Sequence, residues 1–283
     1  LDVFPCVNEA VLSQLFSSFA QGADRVEDAR AFAARRCDLS WCRRVESYFG
    51  LLAAVADMCA FRQAHAGGFH LAQPQRVWDA YTSDWYSMDA AYRHMCTAYL
   101  RTRSVECDVL EEPARAVVDW AENLYSNWFL ADANACWTSA AQGEWADCGY
   151  IDGPARQDEF YWHVLPTFVG SAKTTVVIVS DALRYEVARD VAALLERERG
   201  GNVRVSSMQA VFPSITEVGM PALLPHQALE LAADGSFVLA DGMPTATTPQ
   251  REAVLTHVEP TARALRSSAY LNMAGTERKA LLK

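Results

Sequence analysis

The chain has 283 residues, 51% of them hydrophobic, with 25 basic and 35 acidic side chains and a formal net charge of −10. That length suffices for one large or two ordinary domains with proper cores. No window approaches 18 uninterrupted apolar residues and the opening lacks a signal-peptide layout, so no membrane span is expected, and a cytoplasmic protein is.

From about residue 8 to 168 the pattern is helical. VLSQLFSSFAQGA ends at a glycine and VEDARAFAARRC follows. The stretch LSWCRRVESYFGLLAAVADMCAFRQAHAGG carries Trp41, Val45, Phe49, Leu52, Val55 and Met58 at three- and four-residue intervals and stops at Gly67 and Gly68. The next helix, opening at Pro74, repeats the spacing with Val77, Tyr81, Trp85, Met88, Tyr92 and Met95. Another runs from Glu111 to about Leu130, with Pro113 near its first turn. Stacking platforms for nucleic acid interleave aromatics with Lys and Arg. Here residues 1–172 carry 23 acids against 13 arginines and no lysine, so the aromatic stripe reads as helix-to-helix packing. Residues 173–283 are neutral, with 12 charges of each sign, and any nucleic-acid contact is confined to that half. WADCGYIDGPARQ, 145–157, reads as a junction. The expected division is a helical region over 1–150 and an α/β domain over 151–283.

All six residues from Thr174 to Val179 are β-branched, which predicts a strand buried on both faces of a parallel sheet. The run stops at Ser180 and Asp181. A helix follows, with Leu183, Val187, Val191 and Leu194 on its apolar face and Arg184, Glu186, Arg189 and Asp190 mostly opposite. Ligands in such sheets bind beyond the carboxyl ends of the strands, where Asp181 falls; the bland alternative is an Asp that caps the helix. Val203, Val205 and Ala210 to Phe212 suggest a second strand, interrupted near Ser206 and Ser207 and ending at Pro213. Ser214 and Glu217 stand at capping-box spacing, which predicts a helix starting near Ser214 with Thr216 in its first turn, where an anion is favoured. A threonine hydroxyl becomes a nucleophile only when a metal or base lowers its pKa, and an Asp-held cation beside Thr216 could do so. The alternative is a capped helix that tolerates a threonine. FVLADGMPT then reads as an edge strand or hairpin arm, and Arg251 to Leu265 as a helix broken at Pro260.

SDALRYE, FPSIT, GMPALLPH and DGMPTATTPQREAVL together resemble the PglZ proteins, components of the BREX bacteriophage-resistance systems within the alkaline phosphatase superfamily. The likeness is specific over about 174–255 and loose upstream. It implies an alkaline-phosphatase-like parallel-sheet α/β fold, with Asp181 as a ligand of a divalent metal, usually zinc, and Thr216 as the metal-activated nucleophile and a metal contact. FPSIT is similar to the nucleophile segment of nucleotide pyrophosphatase/phosphodiesterases, which favours Thr216 over Ser214. The implied activity is metal-dependent hydrolysis of a phosphate ester or phosphodiester, the implied partners other phage-defence proteins, and a non-catalytic scaffold the alternative. Arg184, Glu186 and His226 receive no role.

A two-metal site needs more ligands than Asp181 supplies. The family's later motifs, a His-Asn, an Ile-Asp strand and an Asp-His-Gly turn, are absent before Lys283, so the expectation is a shortened, poorly active chain. His226 and His257 pair with no second ligand at metal-like spacing; His65, His70, His94 and His163 read as packing or surface residues. The eight cysteines, Cys6, Cys37, Cys42, Cys59, Cys96, Cys107, Cys136 and Cys148, show no zinc-knuckle spacing and are expected to be free thiols.

Overall fold

The computed structural model describes residues 4–36, 40–169, 174–199 and 202–281. Cys37 and the side chains of Trp41 and Cys148 lie outside the described residues. The chain forms two compact units, one from 1–146 with 184–203 and the other from 147–183 with 204–283.

The first unit is helical: α1 (Pro5–Ala20), α2 (Val26–Arg36), α3 (Glu46–Ala64), α4 (Pro74–Ala80), α5 (Tyr86–Thr102), α6 (Asp108–Asn123), α7 (Ala131–Cys148) and α8 (Tyr185–Arg199). The expected spacing buries Val45, Phe49, Leu52, Val55 and Met58 on one stripe and Val77, Trp85, Met88 and Met95 on the next. They join one continuous core with Leu12, Phe16, Phe19, Leu110 and Phe129. The helices are less regular than their periodicity implies. Residues 40–45 form a 3₁₀ turn before α3, and π-helical turns occupy Tyr81–Trp85 and Leu124–Leu130. A π turn inserts an extra residue and re-aims the side chains on it. Both π turns carry a tyrosine that donates to the buried Asp89, Tyr81 at 2.5 Å and Tyr125 at 2.7 Å. Burial first, and then the bond to Asp89, pushes both phenol pKa values well above the usual tyrosine range. Pro113 sits in the second turn of α6 because the helix begins at Asp108.

Helix α8 corrects the expected orientation. Its apolar stripe is exposed at Val191 and Leu194, while Glu186 is fully buried. Charge pairing decides this. Arg184 Nε lies 3.0 Å and Arg93 Nε 3.9 Å from Glu186, Asp190 receives the Arg93 guanidinium, and His94 Nε2 stands 2.9 Å from Asp190. Tyr185 adds a hydrogen bond to the Thr82 carbonyl at 2.9 Å and an edge-on contact with Tyr86. A helix whose polar face finds such partners is docked by that face, whatever its hydrophobic period.

The second unit is mixed. β1 (Ala155–Arg156) pairs in parallel with β2 (Met208–Gln209), Ala155 opposite Met208. The Gln209 side chain extends this contact, accepting from Ile151 N–H and donating to the Ile151 and Pro154 carbonyls. α9 (Thr216–Ala222) follows, then an antiparallel meander of β3 (Leu229–Leu231), β4 (Val238–Ala240) and β5 (Met243–Pro244). Asp241 and Gly242, at φ 49° and 77°, make the two-residue turn between β4 and β5, where both positions need a left-handed backbone. α10 (Thr248–Val258) stops before Pro260, and α11 (Ser267–Asn272) and α12 (Gly275–Leu281) end the described chain. Leu224, Ala240 and Val254 form a small core.

Residues 174–180 are not a doubly buried strand, which overturns the expectation for that run. Residues 175–180 join no ladder among the described residues, and Val176, Val177, Ile178 and Val179 are exposed, Ile178 by 86%. β-branched composition favours a pleated, covered surface, but burial needs neighbouring strands, and none pairs with this run among the described residues.

Candidate functional site

The β-branched run ends in a turn at Asp181 and Ala182, where Ala182 takes a left-handed φ of 55°. Such a φ is rare for a residue with a side chain, and it marks a sharply turned tip. Asp181 Oδ1 accepts the Ala182 N–H at 3.1 Å, leaving Oδ2 directed at a second segment of the same unit.

That segment is the start of α9. Ile215 is the N-cap, extended and without a side-chain capping bond, and Thr216 is the first helical residue. The expected Ser214 and Glu217 capping box is therefore not formed. Ile215 N–H folds back onto the Pro213 carbonyl at 2.9 Å, which leaves Ser214 one position outside the cap. The capping box that does form joins Thr247 and Gln250 at the start of α10.

Thr216 Oγ1 donates to Asp181 Oδ2 at 2.9 Å, and both side chains face solvent. Two residues 35 apart in sequence thus share one hydrogen bond. A carboxylate is a far weaker base than an alkoxide, so this contact orients the threonine without ionising it. Lowering the hydroxyl pKa is the chemistry a divalent cation would supply. The pair offers such an ion two oxygen ligands, whereas a tetrahedral site needs four, and among the described residues no group of three or more His, Cys, Asp or Glu could hold one. These side chains by themselves do not fit a complete metal centre.

The remaining candidates are elsewhere. Arg184 and Glu186 belong to the α8 ion-pair network of the helical unit. His226 is buried with Nδ1 2.7 Å from the Leu224 carbonyl, and with His257, Asp241 and Trp162 it lines a cavity of about 400 Å³. Asp241 is spoken for, accepting the Gln227 and Ala228 N–H groups. His65 packs on Phe61 and Phe69, and His94 pairs with Asp190. Among the described residues Cys6, Cys59, Cys96, Cys107 and Cys136 are free thiols, and burial pushes the Cys59 thiol up to about 12. Among the described residues no helix is long and apolar enough to cross a membrane.

One residue near the site carries no sequence signal. The Gln157 side chain accepts the Val211 N–H at 3.1 Å and donates to the Gly219 carbonyl at 3.0 Å, touching the chain on both sides of Thr216.

With this geometry in place, comparisons with known proteins show what the chain resembles. Residues 160–283 match the family model of the BREX system PglZ alkaline phosphatase-like domain. Over 290 aligned positions covering all of this chain, it is 30% identical to the alkaline phosphatase-like protein BrxZ of Escherichia coli O9:H4 (strain HS), of which 33% is covered. It is 29% identical to the alkaline phosphatase-like protein PglZ of Bacillus cereus (strain H3081.97), over 85% of this chain and 27% of that protein. Residues 160–283 are thus similar to a PglZ domain, and the chain as a whole spans about a third or less of the length of these PglZ and BrxZ relatives. No solved structure matches it significantly.

Proposed function

We propose that the chain carries part of the active site of a metal-dependent phosphate-ester or phosphodiester hydrolase that works with other proteins of a phage-defence system. Asp181 is the metal ligand, Thr216 the nucleophile and second oxygen ligand, and zinc the first cation to test. The observation that carries this reading is the 2.9 Å contact between Thr216 Oγ1 and Asp181 Oδ2 on two tips of one unit. Oxygen atoms that close can share a cation, and a hydroxyl so placed is a nucleophile in waiting.

The test uses the longer protein in which these residues occur, assayed with a chromogenic phosphodiester and zinc or manganese. Thr216→Ala and Asp181→Ala are each expected to lower metal-dependent turnover at least about a hundredfold while the protein stays folded. Equal turnover by Thr216→Ala would sink the assignment. The chain of residues 1–283 alone is expected to turn over poorly, because its described donors fall short of a metal's coordination shell.

The same donor count favours a second reading, a non-catalytic scaffold within the defence assembly. Phage protection that survives replacement of both Asp181 and Thr216 in the longer protein would support it.

A further inference from the structure

We infer that Gln157 is a positioning residue for Thr216, with Gly219 as the residue that lets it act; this rests on the proposed role of Thr216. Gln157 precedes the family-matched region and follows β1 directly. In β1 and β2, Arg156 stands opposite Gln209, after which residue 157 turns into a 3₁₀ segment and the ladder stops. The Gln157 side chain takes over. Its Oε1 accepts the Val211 N–H two residues beyond β2, as a further strand residue would have done. Its Nε2 reaches in the other direction to the Gly219 carbonyl, 62 residues away in sequence.

That carbonyl lies in α9, three residues after Thr216. The helix tightens at its end, with Leu223 N–H turning to the Met220 carbonyl at 3.3 Å, and Gly219 O takes the Gln157 amide instead. Only one orientation of the amide satisfies both partners, since a flipped group would set NH₂ against N–H and oxygen against oxygen. A single planar amide thus spans the loop 211–219, whose middle contains Ile215 and Thr216. It fixes where the first turn of α9 begins, and so where the Thr216 hydroxyl meets Asp181.

Gly219 is adapted to this contact. A Cβ there would lie 3.3 Å from Gln157 Nε2, tighter than ordinary packing, and Gln157 cannot withdraw without releasing Val211. Gly219 has no left-handed φ, so alanine there should by helix propensity alone firm up α9. The two ideas therefore give opposite signs.

The test follows backbone amide exchange and the Thr216 methyl resonance in the full chain. For Gln157→Ala, exchange of Val211 and of α9 is expected to rise about three- to tenfold while α10 is unchanged. The Thr216 methyl should shift toward its position in Asp181→Ala. Gln157→Glu separates the two bonds. Above the glutamate pKa, near 4.3, it keeps an acceptor for Val211 but loses the donor to Gly219; below it, the protonated acid regains both. Protection of α9, relative to wild type at the same pH, should therefore fall at pH 7 and recover on acidification. Gly219→Ala should loosen Val211 despite its better helix propensity. A Thr216 methyl unmoved in Gln157→Ala, a firmer Val211 in Gly219→Ala, or loosening shared equally by α10 would each overturn the inference. None of these readouts needs metal or turnover, so failure of the hydrolase reading leaves a separate mark, in the Thr216→Ala assay.

Discussion

The two units are held together by different physics. The helical unit buries Phe16, Phe19, Met58, Leu110 and Phe129 in one core, so its stability rests on apolar area removed from water. Among the described residues the buried cluster of the second unit is Leu224, Ala240 and Val254, and much of its geometry comes from side chains that bond backbone far away in sequence. Gln209 reaches Ile151, and Gln157 reaches Val211 and Gly219. Area-driven packing tolerates small shifts, whereas a directional bond specifies a position. The unit with the smaller core is the one that sets the Asp181 and Thr216 contact.

The contrast can be broken most forcefully in the cores. Phe16→Ala should destabilise the helical unit by about 3–5 kcal/mol, and Leu224→Ala the second unit by about 2 kcal/mol, measured by urea unfolding with probes in each unit. Equal effects would erase the distinction. Next comes the exception inside the helical unit, where α8 is held by charge. Arg93→Ala strips a counter-charge from the sealed Glu186 carboxylate and should destabilise α8 docking by about 3 kcal/mol. Glu186→Gln should be much milder, because it removes the buried charge itself.

Smaller effects sharpen the picture. Lysine in place of Ile178 or Leu194 should change the unfolding free energy of this chain by less than about 0.5 kcal/mol, since both side chains are already exposed. A loss of several kcal/mol would mean these residues are covered. The least effect concerns acid. Burial pushes the Asp190 carboxyl up, but the bonds and charges of Arg93 and His94 outweigh it, and the group lies below the usual carboxylate range. Folded Asp190 thus binds a proton less readily than unfolded Asp190. Its contribution is present above about pH 4 and is lost as pH falls through the lower folded value. Exchange protection of α8 should decline in that window, and Asp190→Asn should abolish the decline.

Much was legible from residue order. The three- and four-residue spacing from Val45 to Met58 marks a buried face, and Asp241-Gly242 marks a hairpin turn, because both signals depend on neighbours along the chain. Asp181 and Thr216 were singled out by their motifs and stand in contact. Residue order misled at Ser214, where a local turn onto Pro213 displaced the cap, and at 174–179, where composition implied cover that no described strand provides.

Only the tertiary structure decided which surface covers which. Periodicity reports the face an element would bury, not the partner it meets, so α8 turned its apolar stripe outward once Arg93 and His94 were there to receive Glu186 and Asp190. The same holds for Gln157. An isolated glutamine in a junction carries no pattern, and its place astride the Thr216 loop comes from two hydrogen bonds that span more than fifty residues of sequence.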